Sequence, residues 1–296
     1  MPEISTLPPP LEGFRFSHRL RVRWAEVDMH KVVFNAHYLM YFDTAIADYW
    51  RALALPYELA MQEMGGQLHL QKVSMEHHAS ARFDDQLDVA VQCQKIETFS
   101  VIFAGAIYRG IELLATCELI YVFADPLTHR ACQLPAPLRQ VLENFEAGQP
   151  IVTLKTGHWD DLGWDAMEVR IEVFVDEQLI PLELENDEDD ADAFHAVVYN
   201  GFDQPVATGR LLAGQQGQGR IGRIGRMAVK RELRGSGQGS AVLASLLAEA
   251  TRRGDSGLVL HAQTSAQGFY ERLGFKARGE VFDEVGLAHI EMFLTL

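Results

Sequence analysis

The first half of the chain carries a single long amphipathic helix pattern, answered by a run of β-rich segments, and this pairing restricts its fold more than any other feature. Between about Ala36 and Ala54, Tyr38, Leu39, Phe42, Ala45, Ile46, Tyr49, Trp50 and Leu53 recur at three- and four-residue spacing, which places them on one helical face. The stretch "LPYE" stops the pattern, because proline disfavours helix in the residue before it. Upstream, "FRFSHRLRVRWAEV" alternates as a strand does. Downstream, "LHLQKVSMEHHAS", "QLDVAVQCQKIE", "SVIFAGAIYRG" and "IELLATCELIYVFAD" follow one another, separated by turn residues. A short helix, "APLRQVLENFEAG", closes the half. One helix and a strand meander predict an α+β layer, with the helix covering one face of a curved antiparallel sheet.

Near "EAGQPIVTLKTG" the chain starts again. "IVTLK" reads as a strand and "DDLGWDAMEVRIEVFVDEQ" as a helix opened by acids. After the acidic run "ELENDEDDADAF", "HAVVYNGFDQPVATGRLLA" is strand, turn, strand. "RIGRMAVK" is a strand, "GSAVLASLLAEATRR" a helix, "GLVLHAQ" a strand and "SAQGFYERLG" a helix. "FKARGEVFD" and "HIEMFLTL" finish the sheet. The expectation is two domains, residues 1–148 and 149–296, the second a mixed α/β sheet with helices on both faces. At 296 residues and 48% hydrophobic content, two cores are within reach. The acidic run from Glu183 to Asp192 reads as a solvated loop, or as an attractor for a cationic amine.

Charge narrows the partners. Residues 1–150 hold 12 Lys and Arg against 18 Asp and Glu, and residues 151–296 hold 14 against 23. Neither half has the basic footprint of a nucleic-acid binder. An anionic ligand therefore needs a local device, such as a helix N-terminus or placed arginines. The three cysteines, Cys93, Cys117 and Cys132, form no C-x-x-C pair and read as packed structural thiols. The histidines His30, His37, His77 and His78 match no familiar ligand spacing, so no metal is expected. The proline-rich, acidic start is unlike a secretory signal, and no apolar run reaches the ~18 residues of a membrane span. A cytoplasmic protein without membrane partners is expected.

Two stretches carry chemistry. Asp28 lies between a strand and the long helix, which places its carboxylate near unpaired backbone N–H groups and a partial positive charge. It either complements the helix dipole or works on a carbonyl polarised by those donors, as nucleophile or as base for water. In the second half, "RGSGQGS" follows the strand "RMAV" and opens a helix. Glycines there turn successive N–H groups toward one point, a cradle suited to a pyrophosphate. Neither the Gly-x-Gly-x-x-Gly of a dinucleotide fold nor the Gly-Lys-Ser/Thr of a Walker loop is present.

The stretch "WAEVDMHKVVFNAHYLMYFDTA", continued by "MEHHASARFDDQLDV" and "ACQLPAPLRQVL", resembles the 4-hydroxybenzoyl-CoA thioesterase group of hotdog-fold proteins over residues 15–145. The resemblance implies acyl-CoA hydrolysis, with Asp28 as the catalytic carboxylate and the backbone N–H of Asn35 polarising the thioester carbonyl. It also implies a homo-oligomer, dimer or tetramer, with Tyr38, Tyr41 and Phe42 lining a neighbour's pocket. Lys31 stands where the group usually has glycine. If that position needs a positive φ, lysine costs about 1 kcal/mol.

Arg234-x-x-Gly237-x-Gly239 resembles the pyrophosphate loop of the GNAT acyltransferases. "AQGFYERLGF" is similar to their later helix, and "VFVDEQLIPLELENDEDD" with "GRIGRMAV" looks most like the small ElaA-type subgroup. This resemblance spans residues 151–296. It implies coenzyme A or acyl-CoA as substrate, held by the backbone of Met227, Ala228 and Val229 along pantetheine. Arg234, Gly235, Ser236, Gly237, Gln238, Gly239 and Ser240 would hold the pyrophosphate. Tyr270 would protonate the departing thiolate, unless it simply packs between Phe269 and Leu273. The acceptor would be a small-molecule or peptide amine. Its base stays open between Glu177, His195, His261 and a water chain, and Arg223 and Arg226 are candidates to meet an acidic substrate.

Together these readings give a bifunctional CoA-dependent enzyme, a hydrolase followed by an N-acyltransferase. The alternatives are an acyl-CoA-binding or sensing protein with one half inactive, or a transferase on an oligomerisation scaffold.

Overall fold

The computed structural model describes residues 10–185, 187–214, 216–217 and 219–296. The chain divides into two compact units after Ile151. Each is α+β.

The first unit is built on an antiparallel sheet in the order β1-β3-β4-β5-β2. Its strands are β1 (Phe16–Arg21), β2 (Gln67–His77), β3 (Gln86–Ile96), β4 (Ser100–Arg109) and β5 (Glu112–Ala124). Helix α1 (Asn35–Ala52) packs across β1 and β3. The apolar face legible in the sequence is the buried one, from Tyr38, Tyr41 and Phe42 through Ala45 and Ile46 to Tyr49 and Trp50. Phe42 is fully buried, and a Cβ at Gly105 on β4 would lie 2.4 Å from its ring. Glycine at 105 is what lets the helix sit that close to the sheet. The expectation that Tyr38, Tyr41 and Phe42 face a neighbouring subunit is corrected here. They are 2%, 4% and 0% exposed within their own unit, and the hydrophobic gain of that burial fixes them as core.

Two local departures have clear causes. The strand expected through Val27 ends at Arg21, and Trp24–Glu26 form a short 3-10 turn. The Glu26 carboxylate accepts the Arg23 N–H at 2.7 Å and the Tyr41 hydroxyl at 2.8 Å, which bends the chain out of the extended form. A second short helix, α2 (Tyr57–Glu63), follows Pro56, where a fixed φ suits a helix start. Helix α3 (Ala136–Glu146) closes the unit, and its Glu146 accepts the Tyr49 hydroxyl at 2.5 Å and the Cys93 N–H at 2.7 Å. Burial pushes the thiols of Cys93 and Cys117 up to about 12, in keeping with structural thiols.

The second unit is a mixed sheet in the order β12-β13-β11-β10-β8-β7-β6, with β9 (Gln216–Gly217) paired to β10. The other strands are β6 (Thr153–Gly157), β7 (Phe194–Tyr199), β8 (Pro205–Leu212), β10 (Gly219–Val229), β11 (Gly257–Gln263), β12 (Lys276–Glu284) and β13 (Leu287–Thr295). Helix α4 (Trp159–Arg170) continues as a π-helical turn over Ile171–Glu177, and α5 (Leu182–Glu185) follows. Helices α6 (Gln238–Arg252) and α7 (Gln267–Arg272) contribute Val242, Leu243, Leu246, Ala250 and Tyr270 to the main core.

The acidic run is not a solvated loop throughout. Glu185 is 1% exposed and Asp190 2%. Arg170, itself 1% exposed, donates to Glu185 Oε1, to the Glu185 carbonyl at 2.5 Å and to Asp190 Oδ1 at 2.9 Å. Arg210 on β8 reaches Asp187 at 2.5 Å and Asp190 at 2.7 Å, and Arg226 on β10 reaches Asp187 at 2.9 Å. Desolvating those carboxylates is costly unless cations accompany them. The arginines of α4, β8 and β10 are those cations.

Candidate functional sites

In the first unit, Asp28 heads a tight turn. Its N–H donates to the Val32 carbonyl at 2.9 Å, and its carbonyl accepts the Lys31 N–H at 3.0 Å. Oδ1 accepts the His30 N–H at 2.7 Å and the Val32 N–H at 3.4 Å. The turn does demand a left-handed residue: Lys31 has φ 61°. A Cβ there costs about 1–2 kcal/mol relative to glycine, so the departure noted in the sequence is a strained lysine.

The turn is the tip of a small ladder. Val27 bridges Val33, and the Phe34 N–H donates to the Glu26 carbonyl at 2.9 Å. Asn35, exposed, is the first residue of α1, where backbone N–H groups lack intrahelical acceptors. Phe34 caps the helix without a side-chain bond, so Asp28 is not the helix cap. His37 leaves its Nδ1 buried and without a partner among the described residues. Sequence reasoning assigned no site role to Glu26, which is 12% exposed in its side chain and bonded to Tyr41. Burial, reinforced by the Glu26 carboxylate, raises the Tyr41 phenol, which therefore stays a proton donor.

In the second unit, β10 and β11 run parallel but pair only from Ile221↔Gly257 to Ile224↔Leu260. Both strands continue past that rung without pairing each other. β10 also bulges between Gly225 and Ala228, with Arg226 at φ 53°. A cleft of about 840 Å³ opens there, lined by Gly225 to Val229, Leu260, His261, the turn around Gly235 and Gly237, and Tyr270. That volume suits an extended cofactor-sized guest.

Gly235 and Gly237 have φ 85° and 93°, and Gly237 is the N-cap of α6. A Cβ at either would meet nothing within 4 Å, so the space above the turn is open. The Ser236 hydroxyl donates to the Leu233 carbonyl at 2.6 Å, and Gln238 is buried. Arg234 lines the same cleft and is held by two neighbours. Its guanidinium pairs with Glu177 at 2.7 and 2.5 Å, and its Nε donates to the Val229 carbonyl at 3.1 Å. Gly235, Gly237, Gly239 and Ser240 line the same cleft as Met227, Ala228 and Val229. Tyr270 is 7% exposed between Phe269 and Phe275, with ring centroids 4.9 and 5.9 Å away, and burial pushes its phenol up to about 12. At neutral pH it is a proton donor.

The base candidates separate. Glu177 has both oxygens on Arg234, which holds its carboxyl below the usual range. His195 is 1% exposed with Nε2 on the Asp190 carbonyl, and burial lowers it. His261 lines the cleft, with Nδ1 3.0 Å from Glu284 Oε2. Arg226 is committed to Asp187 and the Leu184 carbonyl. No group of acids, cysteines and histidines able to hold a metal is found among the described residues. No helix among them is long and apolar enough to cross a membrane.

Residues 164–296 match the Acetyltransferase (GNAT) domain, and residues 22–145 match the Thioesterase-like superfamily. An uncharacterized N-acetyltransferase, YjcF, from Bacillus subtilis (strain 168) is 39% identical over 129 residues, covering 43% of this chain and 89% of that protein. The chain belongs to the GNAT acetyltransferases and carries a thioesterase-like domain besides.

Among solved structures, Escherichia coli ElaA is 29% identical, covering 48% of this chain and 99% of its own, with a TM-score of 0.44. A thioesterase from Thermus thermophilus, solved with coenzyme A and Zn, is 22% identical over 47% of this chain and 99% of its own, with a TM-score of 0.41. The antiparallel first unit is hotdog-like and the mixed second unit GNAT-like.

Proposed function

We propose that the chain is a bifunctional CoA-dependent enzyme: the first unit hydrolyses an acyl-CoA and the second moves an acyl group from acetyl-CoA or another acyl-CoA to an amine. The observation carrying the second activity is the coincidence, in one cleft, of an open glycine cradle, a pair of diverging strands and a buried tyrosine. The backbone of Gly235 to Ser240 takes the pyrophosphate on the N-terminus of α6. Met227 to Val229 offer strand hydrogen bonds to pantetheine, and Arg234 braces the turn through the Val229 carbonyl and Glu177. Attack of the amine on the thioester carbonyl expels the CoA thiolate, which takes the Tyr270 proton.

In the first unit, Asp28 would attack the thioester or activate water, with the Asn35 N–H as oxyanion donor. The edge strand β2 pairs only with β5 and is exposed along most of its 11 residues. An open ladder of that length supports assembly into a homo-oligomer, dimer or tetramer. A second reading has its own support. The Asp28 carboxylate accepts two N–H bonds from its own turn, as a structural turn residue does, and this favours a first unit that serves as scaffold.

A panel of acyl-CoAs assayed for free thiol, with and without an amine library, separates these readings. Amine-independent release that disappears in Asp28→Asn supports the hydrolase. Release unaffected by Asp28→Asn leaves the scaffold reading. Amine-dependent release that falls in Tyr270→Phe supports the transferase, and its absence across the library refutes it.

A further inference from the structure

His261 is the first residue of β11 beyond the last rung shared with β10, at the vertex where the two strands part. Its neighbours Leu260 and Ala262 are 2% and 1% exposed and belong to the core that also holds Tyr270. Alternation along a strand therefore turns His261 to the opposite sheet face, where it lines the cleft. Tyr270 belongs to the core on one sheet face and His261 lies on the other, and both line the cleft.

The imidazole is held in a defined orientation. Its Nδ1 lies 3.0 Å from Glu284 Oε2 on β12, and its ring meets Phe282 edge-on at 4.9 Å. With the Nδ1–H donated to Glu284, the lone pair resides on Nε2. Other ionisable groups also face this part of the cleft. Glu291 on β13 lies opposite His261 in register but is tied to Arg278 at 2.5 Å. His289 has its Nδ1 on the Leu287 carbonyl at 2.9 Å. Arg223 on β10 shares the face of Val259 and His261. Asp187, Asp189 and Arg226 form the acidic-run wall, and Glu177 is closed by Arg234.

We infer that His261 is the general base that deprotonates the amine, with Glu284 as its positioning residue; this rests on the transferase reading above. The amine lone pair forms the N–C bond while the carbonyl π pair moves to oxygen. Nε2 of His261 takes the N–H proton. Collapse of the tetrahedral species breaks the C–S bond, and the thiolate takes the proton of the Tyr270 hydroxyl. The products are one amide and one CoA thiol; His261 gives its proton to solvent, and the Tyr270 phenolate takes one back from solvent, so no net proton is gained or lost.

The test uses the full chain, acetyl-CoA, and the library amine giving the fastest amine-dependent thiol release. kcat/KM for that amine is measured against pH for the wild type, His261→Gln and Glu284→Gln, with CoA affinity read by calorimetry. His261→Gln is expected to lose about 10²–10³-fold in kcat/KM. It is also expected to lose the limb that falls on the acid side, with CoA affinity unchanged within about twofold. Glu284→Gln keeps the hydrogen bond but not the charge, so that limb moves to lower pH. A His261→Gln enzyme within about threefold of wild type, with the same limb, overturns the assignment. Loss of CoA binding together with turnover marks a structural histidine and overturns it too. If no library amine supports release, the transferase reading falls, and this assignment with it.

Discussion

Replacing Arg170 with methionine tests whether the acidic run is core. The side chain is 1% exposed, and its guanidinium lies 5.5 Å over the Trp159 ring. Methionine replaces much of the stem but supplies none of the N–H groups that reach Glu185 and Asp190. Three bonds are lost, two of them to carboxylates, and such bonds contribute about 1.5–3 kcal/mol each in isolation. They do not add in full. Arg210 remains 2.7 Å from Asp190 and Arg226 3.5 Å from Glu185. Burial already raises the Glu185 carboxyl against the pull of its arginines, so it can take up a proton. The expected loss is about 3–5 kcal/mol, the cost of removing one partner from a buried pair. With a urea m-value of about 2 kcal/mol/M, the midpoint falls by ~1.5–2.5 M. Because the chain has two units, unfolding is read by pulsed hydrogen exchange on peptides from residues 159–170. A shift below about 0.5 M with unchanged m refutes the account of these charges as an interdependent buried network.

Other expectations follow from single contacts. Gly105→Ala drives a Cβ into the fully buried Phe42 ring, so the first unit should lose about 1–3 kcal/mol, seen as a lower urea midpoint for peptides from α1. Gly237→Ala meets no atom but must hold φ 93°. The free protein should lose about 1 kcal/mol, while CoA affinity by calorimetry falls roughly tenfold or more if the α6 turn is the pyrophosphate site. Burial pushes the Asp187 carboxyl up, yet the bonds from Arg210 and the charges of Arg210 and Arg226 outweigh it and hold it below its ordinary value. Its contribution to stability is therefore full above about pH 4 and is lost as pH falls through the depressed folded value. Urea midpoints of the second unit at pH 6 and pH 3 should differ less in Asp187→Asn than in wild type.

What the sequence disclosed depended on how local the physics was. The α1 face was legible because Tyr38 through Trp50 repeat within one helix, and the α6 turn because Gly235 and Gly237 advertise their own left-handed backbone. The seven-residue α2 was not, since it is too short to show a period. The buried state of Glu185 and Asp190 was hidden because the cations that permit it lie on α4, β8 and β10. His261 was among several base candidates, but its pairing with Glu284 needs two strands brought together by β13. The pairing of Arg234 with Glu177, 57 residues away in sequence, is likewise visible only in the structure.

The early parting of β10 and β11 has a wider consequence. On the proposed reading, a guest received there would be gripped as a missing neighbour in a ladder is, through main-chain groups that every residue except proline possesses. Such a grip is indifferent to which side chains stand at Met227 or Val229. The cleft walls would then be free to change, and acceptor preference with them, while the hold on the shared carrier persisted.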